Sequence, residues 1–305
     1  MPRQQRINIV KVALVLNPNA GDGDLETKDL LTVLGAAGHE VVRLRVGSAW
    51  DDSTLQGAQR VLIAGGDGTV ERVIPLLVRR KLPFCVLPSG TANNLAKSLS
   101  QTDSLSRLAR ELEDFEIHQL DVGKICTAAE ERLFVEAAGF GPFVSLMRRL
   151  DEPVVRTGLE ETESSEDKLR QGYQQLQALA ANQEPIWCEL TVDGETIDGR
   201  FVLGEVMNVG LVGPNVALVP SVDSADGRFD LVLVREEKQH ELTRHLANLA
   251  LGIVSEPAFE WRRCRSVVFT KPPVLHVDDE IRDPQGTSTR ITILPGALEY
   301  IRTAD

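Results

Sequence analysis

The sequence contains few cysteines, few aromatic residues and no long apolar run. Its four cysteines form no Cys-x-x-Cys pair and have no histidine beside them at metal-ligand spacing, so we expect reduced thiols rather than disulfides or a zinc site. No window approaches about 18 uncharged apolar residues, and the first residues are polar, so we expect neither a membrane-spanning helix nor a secretory signal. These absences predict a cytoplasmic protein.

Positive charge is also scarce, because 33 lysines and arginines stand against 45 acidic residues and the formal net charge is −12. Binding to a nucleic acid requires a basic stripe that displaces counterions, so this balance argues against a nucleic-acid partner. About half of the net negative charge falls on one segment, residues 151–167, which is rich in aspartate and glutamate. Such a segment is typical of a solvated connection between structural elements.

The chain has 305 residues, of which 42% are hydrophobic, and this length favours two packed units. Over roughly the first 120 residues, strands alternate with helical patterns, which predicts a parallel sheet covered by helices. Short alternating strands with turn signals follow and predict an antiparallel second domain. We therefore predict an α/β domain over residues 1–124 and a β-rich domain over residues 125–305. The last residues of the chain fit either the second domain or a return to the first.

Three turns rich in glycine or asparagine follow the predicted parallel strands, at residues 17–21, 65–69 and 88–94. In open α/β sheets, ligands bind at the carboxyl ends of the strands, where these turns fall. Glycine permits close backbone approach, and the N–H groups of a turn that opens a helix bind phosphate. Asp67 adds a carboxylate for a nucleotide hydroxyl or a metal-bound water, although it also fits a simple helix cap. Three converging turns favour phosphate binding.

A second set of acidic residues lies near the end of the chain, at residues 278–280. If this segment is a strand, the period of two places Asp278 and Glu280 on one face and Asp279 on the other, so that the first two share a site. Phosphoryl transfer requires a carboxylate within hydrogen-bond reach of the attacking hydroxyl. The alternative is a hairpin turn with solvated acids.

These motifs together resemble the catalytic domain of the diacylglycerol kinase and sphingosine kinase superfamily, particularly its soluble bacterial lipid kinases. The resemblance covers nearly the whole chain and includes the elements at residues 219–220 and 225–230. It implies a NAD kinase/diacylglycerol kinase-like α/β domain that binds the nucleotide, a β-sandwich-like domain for the lipid, and a cleft between them. The implied activity is the ATP- and Mg²⁺-dependent phosphorylation of a hydroxyl group of diacylglycerol or a related lipid.

The resemblance also implies roles for individual residues. Asp278 and Glu280 match the family's Asp-Gly-Glu, in which an acidic residue is the proposed general base. An acidic cluster of the second domain holds a structural Mg²⁺ in the family, and oxygen ligands suit that ion, although turn formation also explains such residues. The implied metal ligands are Asp223, Asp226 and Asp230. The implied nucleotide-binding residues are Asn17, Gly66, Asp67, Gly68, Thr69, Ser89, Gly90, Thr91 and Asn93.

The family further implies a lipid substrate taken up at a membrane surface, hence a peripheral protein when active, and its bacterial members are often dimers. Two residues depart from the family's pattern: Asn94 replaces an aspartate and Asp279 replaces the glycine of Asp-Gly-Glu. These departures keep open a second interpretation, a lipid- or nucleotide-binding protein with impaired phosphoryl transfer. A third is a NAD kinase-like enzyme, because that family carries relatives of the Gly-Gly-Asp-Gly-Thr motif.

Overall fold

The computed structural model describes residues 9–17, 24–45, 55, 57–101, 112, 116–150, 164–253, 255–284, 286 and 288–302. The chain divides into two compact units. Unit 1 comprises Met1–Leu120 and Ala297–Asp305, and unit 2 comprises Asp121–Gly296. Within the described ranges, no helix combines the length and apolarity needed to cross a membrane.

The described residues of unit 1 form a parallel sheet with three helices. Its elements are β1 (Lys11–Leu16), α1 (Asp24–Ala36), β2 (Glu40–Arg45), β3 (Arg60–Gly65), α2 (Asp67–Arg80), β4 (Phe84–Pro88) and α3 (Asn94–Ser98). β1 lies between β2 and β3, β3 pairs with β4, and all three pairs are parallel. Tyr300, near the end of the last described strand, pairs with Phe84 and extends this parallel arrangement.

The sheet of unit 1 is apolar on both faces. β1 and β3 read as near-continuous buried runs, which is typical of parallel strands covered by helices. From α2, the buried side chains include Val70, Val73 and Leu77. This packing fixes the positions at which the strands end, and therefore the positions of the turns that follow them.

Unit 2 is mainly antiparallel. Its elements are β5 (Glu116–Cys126), β6 (Glu131–Phe134), β7 (Ala137–Phe140), α4 (Pro142–Leu150), α5 (Ser165–Ala181), β8 (Ile186–Val192), β9 (Glu195–Met207), β10 (Phe229–Arg235), a 3₁₀ turn (Glu236–Lys238), α6 (Gln239–Ala250), β11 (Trp261–Cys264), β12 (Ser266–Thr270), β13 (Leu275–Val277), β14 (Glu280–Arg282) and β15 (Ser288–Arg302). The boundaries between the units fall inside β5 and β15.

The strands of unit 2 pair in the order β14-β13-β7-β9-β8-β12-β15, with β10 beside β9 and β11 beside β10. β8 shows the alternation expected of a half-buried strand, because Cys188, Leu190 and Val192 are buried while Trp187 is exposed. A separate apolar cluster includes Leu176 of α5 and Leu242 of α6. The predicted fold class, a parallel α/β part followed by a mainly antiparallel part, is confirmed.

Candidate active site

The glycine turns of unit 1 follow the carboxyl ends of neighbouring parallel strands. β3 ends at Gly65 and β4 ends at Pro88, and these two residues pair in the sheet. The Ser89 N–H donates to the Gly65 carbonyl at 3.4 Å, and the Asn17 N–H donates to the Ala64 carbonyl at 3.3 Å. The ends of β1, β3 and β4 thus meet at one edge of the sheet, the edge at which open α/β sheets bind ligands.

Gly66 and Gly90 bring two of these turns into backbone contact. A Cβ on Gly90 would lie 3.0 Å from the Cα of Gly66 and 3.0 Å from Asn93 Oδ1, which is closer than ordinary Cβ contacts. A Cβ on Gly66 would lie 3.2 Å from the Cα of Gly90. Glycine at both positions lets the two turns approach closely and form one backbone surface at the N-terminal end of α2, where N–H groups suit the phosphates of a nucleotide.

The polar side chains of the turns are fixed by bonds among themselves. Asn17 donates through Nδ2 to the hydroxyl of Thr69 at 2.9 Å. Asn93 accepts the Gly90 N–H through Oδ1 at 3.0 Å and donates through Nδ2 to the Gly90 carbonyl. The φ of Asn93 is 51°, a left-handed conformation that asparagine tolerates better than most residues. The second turn therefore keeps its shape without a glycine at this position.

Asp67 connects the first glycine turn to the second. Its Oδ2 accepts the Asn94 N–H at 3.0 Å, and its Oδ1 accepts the Leu95 N–H at 3.3 Å. The carboxylate therefore caps the start of α3, although each oxygen retains a further lone pair. Partial burial lowers the pKa of Lys97, and the charge of Asp67 opposes this shift, so a cation lies within electrostatic reach of the carboxylate.

The structure brings the nine predicted nucleotide-binding residues to this edge of the unit 1 sheet. Among these residues, Thr91 is exposed and Ser89 is half-buried. Residues 18–21 of the first turn lie outside the described residues, as do residues 151–163 of the acidic segment predicted to be a solvated connection.

Asp278 lies in the two-residue turn between β13 and β14, is only 8% exposed, and has a φ of 47°. Its Oδ2 accepts the Val135 N–H at 2.9 Å, and its Oδ1 accepts the N–H groups of Glu136 at 2.8 Å and Ala137 at 3.2 Å. Burial raises the pKa of Asp278 to about 7; the three donors oppose this shift and the charge of Asp279 reinforces it. The carboxylate therefore exchanges a proton near neutral pH.

The predicted common face of Asp278 and Glu280 is wrong, because the chain turns between them instead of continuing as one strand. Glu280 is exposed and forms ion pairs with Arg132, at 2.6 Å, and with Arg282. Backbone N–H groups thus bind the Asp278 carboxylate, whereas two guanidinium groups bind the Glu280 carboxylate. The left-handed φ falls on Asp278 rather than on Asp279, the residue that replaces the family's glycine.

The three predicted metal ligands have protein partners. Asp223 and Asp226 each accept the backbone N–H two residues ahead, at 3.1 and 2.9 Å, as turn-forming residues do. Arg263 lies 3.5 Å from Asp226 and 3.8 Å from Asp230. Burial raises the pKa of Asp230 to about 6, against the charge of Arg263. In the part of the chain that the structure describes, no group of three or more His, Cys, Asp or Glu side chains is placed to hold a metal ion.

Asp121 is a buried acid that the sequence interpretation passed over. Its carboxylate is fully buried and accepts the N–H groups of Gly227 and Gly296, each at 2.7 Å. Burial raises its pKa, and the two donors oppose the shift. The available signal was an aspartate between two apolar residues, Leu120 and Val122, because aspartate is seldom fully buried without partners.

A second buried group lies beside Asp278. His276 Nε2 is 2.9 Å from Glu205 Oε2, and His276 Nδ1 is 3.2 Å from the Asp278 carbonyl oxygen. The two side chains are 2% and 0% exposed. No spacing in the sequence indicates this pair, because its members are 71 residues apart.

Two families match consecutive parts of the chain. Residues 11–125 match the diacylglycerol kinase catalytic domain, and residues 152–302 match the YegS C-terminal NAD kinase beta sandwich-like domain. A diacylglycerol kinase of Mycobacterium tuberculosis is 24% identical over 314 residues, which cover 98% of this chain and 97% of that protein. A diacylglycerol kinase of Bacillus subtilis is 26% identical over 255 residues, covering 79% of this chain and 78% of that protein.

Solved structures show the same fold. A diacylglycerol kinase from Bacillus anthracis str. Sterne superposes with a TM-score of 0.71 at 20% sequence identity, over 96% of each chain. The β-sandwich-like character predicted for the second domain is confirmed by the second family match. Because the two family matches follow one another along most of the sequence, the chain belongs to the diacylglycerol kinase catalytic-domain superfamily.

Proposed function

We propose that the protein is an ATP-dependent lipid kinase that phosphorylates a hydroxyl group of diacylglycerol or a related lipid at a membrane surface. The family, and the relatives named diacylglycerol kinase, support a kinase of this kind. The observation that carries the proposal is Asp278, a carboxylate that is 8% exposed and has a pKa raised to about 7. A group with these properties is suited to accept a hydroxyl proton at neutral pH.

Unit 1 supplies the nucleotide-binding part of the proposal. Gly66 and Gly90 let the two turns pack closely against each other as one backbone surface at the N-terminal end of α2, and the backbone N–H groups of a helix N-terminus fit a phosphate group. Asn17, Thr69 and Asn93 fix the shape of this surface through their own bonds. The residues proposed to hold ATP are Asn17, Gly66, Asp67, Gly68, Thr69, Ser89, Gly90, Thr91 and Asn93.

Mg²⁺ offsets charge on the transferring phosphates in kinases and prefers oxygen ligands. Asp67 is the carboxylate at the glycine turns, and its oxygens retain lone pairs beside the bonds to α3. A structural Mg²⁺ at Asp223, Asp226 and Asp230 stays a prediction. Such an ion would have to compete with the Arg263 guanidinium for Asp226 and Asp230.

Unit 2 supplies the proton acceptor. As the lipid hydroxyl oxygen forms its bond to the γ-phosphorus of ATP, the hydroxyl proton passes to the Asp278 carboxylate, and the bond to the β,γ-bridging oxygen breaks to release ADP. Glu280, the first residue of β14, contributes by fixing the guanidinium groups of Arg132 and Arg282. We expect Asp278 to carry most of the rate effect, because a general base contributes about 10²- to 10⁴-fold.

The test compares two aspartates in the same kind of turn. Purified protein is incubated with γ-labelled ATP, Mg²⁺ and a lipid extract in detergent micelles, and the organic and aqueous phases are separated by thin-layer chromatography. Asp278→Asn should reduce labelling of the lipid by about 10²- to 10⁴-fold. Asp193→Asn is the matched control, because Asp193 also has a left-handed φ, 48°, and also binds backbone N–H groups, but is exposed.

The outcomes separate the competing functions. Labelled lipid with wild-type protein and its loss in Asp278→Asn support the kinase, and the mobility of the product identifies the lipid. Binding of ATP without any labelled product would instead favour the impaired binding protein. A label that appears in the aqueous phase only when NAD is added would favour the NAD kinase-like enzyme.

The nucleotide part has its own test, binding of ATP measured by calorimetry. Gly90→Ala places a methyl group against Gly66, so we expect ATP affinity to fall at least about tenfold, a loss of about 1.4 kcal/mol. Gly35→Ala is the control in the same unit, because nothing lies within 4 Å of a Cβ there. Equal affinity in the two variants would remove the turns from the proposed nucleotide site.

A further inference from the structure

The buried pair of His276 and Glu205 has no part in the transfer proposed above, yet it contacts the turn that carries Asp278. His276 on β13 has one ring nitrogen on the Glu205 carboxylate of β9, at 2.9 Å, and the other on the Asp278 carbonyl, at 3.2 Å. The backbone carbonyl of Asp278 only accepts hydrogen bonds, so His276 Nδ1 must carry a proton for that bond to form.

The two bonds of His276 fix the number of protons in the pair. If Nδ1 donates to the carbonyl, then either Nε2 is also protonated and faces an ionised Glu205, or Nε2 is bare and Glu205 is protonated and donates to it. Both arrangements hold one proton more than a neutral histidine beside an ionised glutamate. The pair therefore makes both bonds only while it keeps this shared proton.

The surroundings of the pair hold it in place. A Cβ on Gly139 of β7 would overlap the Glu205 carboxylate, and the ring of Phe143 of α4 packs 6.0 Å from the His276 ring. Glu205 Oε1 is buried and, among the described residues, has no hydrogen-bond partner. Both side chains are buried, with Gly139 and Phe143 packed against them, so we expect a change in the pair's protonation to alter the hydrogen bond to the turn.

The charged groups around the pair are few. Burial lowers the pKa of His276, but the charge and hydrogen bond of Glu205 outweigh this and raise it overall, with help from Asp278. Burial raises the pKa of Glu205, against the charge of His276. The other acids near the turn are Glu136, which is buried and whose N–H binds the Asp278 carboxylate, and Asp279, whose charge acts on Asp278. The elements facing from β7 and α4 contribute Gly139 and Phe143, which do not titrate.

We propose that the His276–Glu205 pair is a positioning device for Asp278, which holds the 278–279 turn through one shared proton and releases the turn when that proton is lost. This inference rests on the proposed function of Asp278. After deprotonation the remaining imidazole proton stays on Nε2, where it faces a full negative charge, and the bare Nδ1 repels the Asp278 carbonyl. Asp278 then loses one of the bonds that orient it.

The expected signature is a bell-shaped dependence of kcat on pH. kcat rises through about pH 7 as Asp278 ionises and falls at higher pH as the pair loses its proton. Glu205→Gln replaces the carboxylate by a neutral amide of the same shape, whose N–H donates to a bare Nε2 and leaves the Nδ1 proton on the Asp278 carbonyl. This variant should keep the rise near pH 7 and lose the fall at high pH.

The control is His245→Gln, because His245 is also a buried histidine of unit 2, bound to the Ala217 carbonyl at 2.9 Å, but it has no bond to the 278–279 turn. The His245→Gln variant should keep both the rise of kcat near pH 7 and its fall at higher pH. A high-pH fall that is unchanged in Glu205→Gln would overturn the proposal.

An NMR measurement on wild-type protein tests the pair without any assay of activity. The ¹⁵N shifts of His276 should show Nδ1 protonated at neutral pH and losing its proton over the pH range in which kcat falls. A bare Nδ1 at neutral pH would overturn the proposal even if Glu205→Gln fails to fold. If wild-type protein labels no lipid, the proposed function fails, and the spectrum still decides whether the pair holds the turn through a shared proton.

Discussion

Two hairpins of unit 2 are built in the same way and placed in opposite surroundings. The β8–β9 hairpin turns at Asp193, with a φ of 48°, and the β13–β14 hairpin turns at Asp278, with a φ of 47°. In each, the aspartate N–H donates to a carbonyl of a segment that leads into another strand and includes its first residue, and the carboxylate accepts N–H groups from that same segment. The segments are residues 265–266 and 135–137.

The difference between the hairpins is burial. Asp193 is exposed, so water solvates its charge, whereas Asp278 is 8% exposed and depends on three backbone donors. Desolvation disfavours the charged form, and the pKa of Asp278 rises to about 7. The same local arrangement therefore connects two segments at the exposed Asp193, whereas at Asp278 burial gives the carboxyl group a pKa near neutral pH.

The largest expected contrast comes from removing each carboxylate. Asp278→Ala leaves three buried N–H groups without acceptors, which costs about 1–3 kcal/mol for each, so we expect the free energy of unfolding to fall by about 5 kcal/mol. Asp193→Ala exposes its donors to water and should cost about 1 kcal/mol. The left-handed backbone is common to both, so its strain cancels. Urea unfolding at pH 5 measures the two losses, and equal losses would contradict the role given to burial.

The next effect is a dependence of stability on pH. The pKa of Asp278 is raised from 3.8 to about 7, so the folded chain binds its proton more tightly than the unfolded chain. Its contribution to stability is complete below about pH 4 and is lost as pH rises to about 7, a change of up to about 4 kcal/mol. The measurement is the urea midpoint between these pH values. The drop should be smaller in Asp278→Asn and unchanged in Asp193→Asn.

A smaller loss is expected from crowding the support of the buried hairpin. Gly139→Ala places a methyl group into the carboxylate of Glu205, which is fully buried, and should lower the free energy of unfolding by about 3 kcal/mol. Gly194→Ala, in the exposed hairpin, meets no atom within 4 Å and carries only the strain of its φ of 93°, about 1–2 kcal/mol. Thermal unfolding followed by circular dichroism compares the two, and a larger loss in Gly194→Ala would speak against tight packing around Glu205.

The smallest change concerns the neighbour of Asp278. Asp279→Asn removes a negative charge that raises the pKa of Asp278, so the rise of kcat with pH should move to lower pH by less than about one unit. The corresponding position of the exposed hairpin is Gly194, which carries no charge. A shift to higher pH would contradict the sign of this interaction.

The fold class was predictable because strand and helix patterns are local. Strands alternate with helices from Lys11 to Ser98, as the pattern over the first 120 residues predicts, and the glycine turns fall at strand ends as their composition indicates. The functional division into nucleotide and lipid domains at residues 124 and 125 stays a prediction.

The turn at Asp278 was not predictable from its neighbours in the sequence. Two aspartates in an apolar stretch fit a strand as well as a turn, and the bonds that stabilise the turn come from residues 135–137, more than 140 positions earlier. For the same reason His276 gave no signal, since its partner Glu205 belongs to another strand. Long-range backbone donors, rather than local propensity, determine the surroundings of Asp278.

The hydrogen bond between Asp121 and Gly296 joins the two points at which the chain enters and leaves unit 2. These residues are the first and last of unit 2, and the Gly296 N–H donates to Asp121 Oδ1 at 2.7 Å. Unit 2 is therefore a single insertion whose entry and exit points are adjacent, as in domains that tolerate excision and circular permutation. A gene encoding residues 121–296 alone, or one with these ends joined and new termini opened at an exposed turn such as residues 193–194, should yield a folded domain in which the role of each hairpin can be studied without the nucleotide-binding unit.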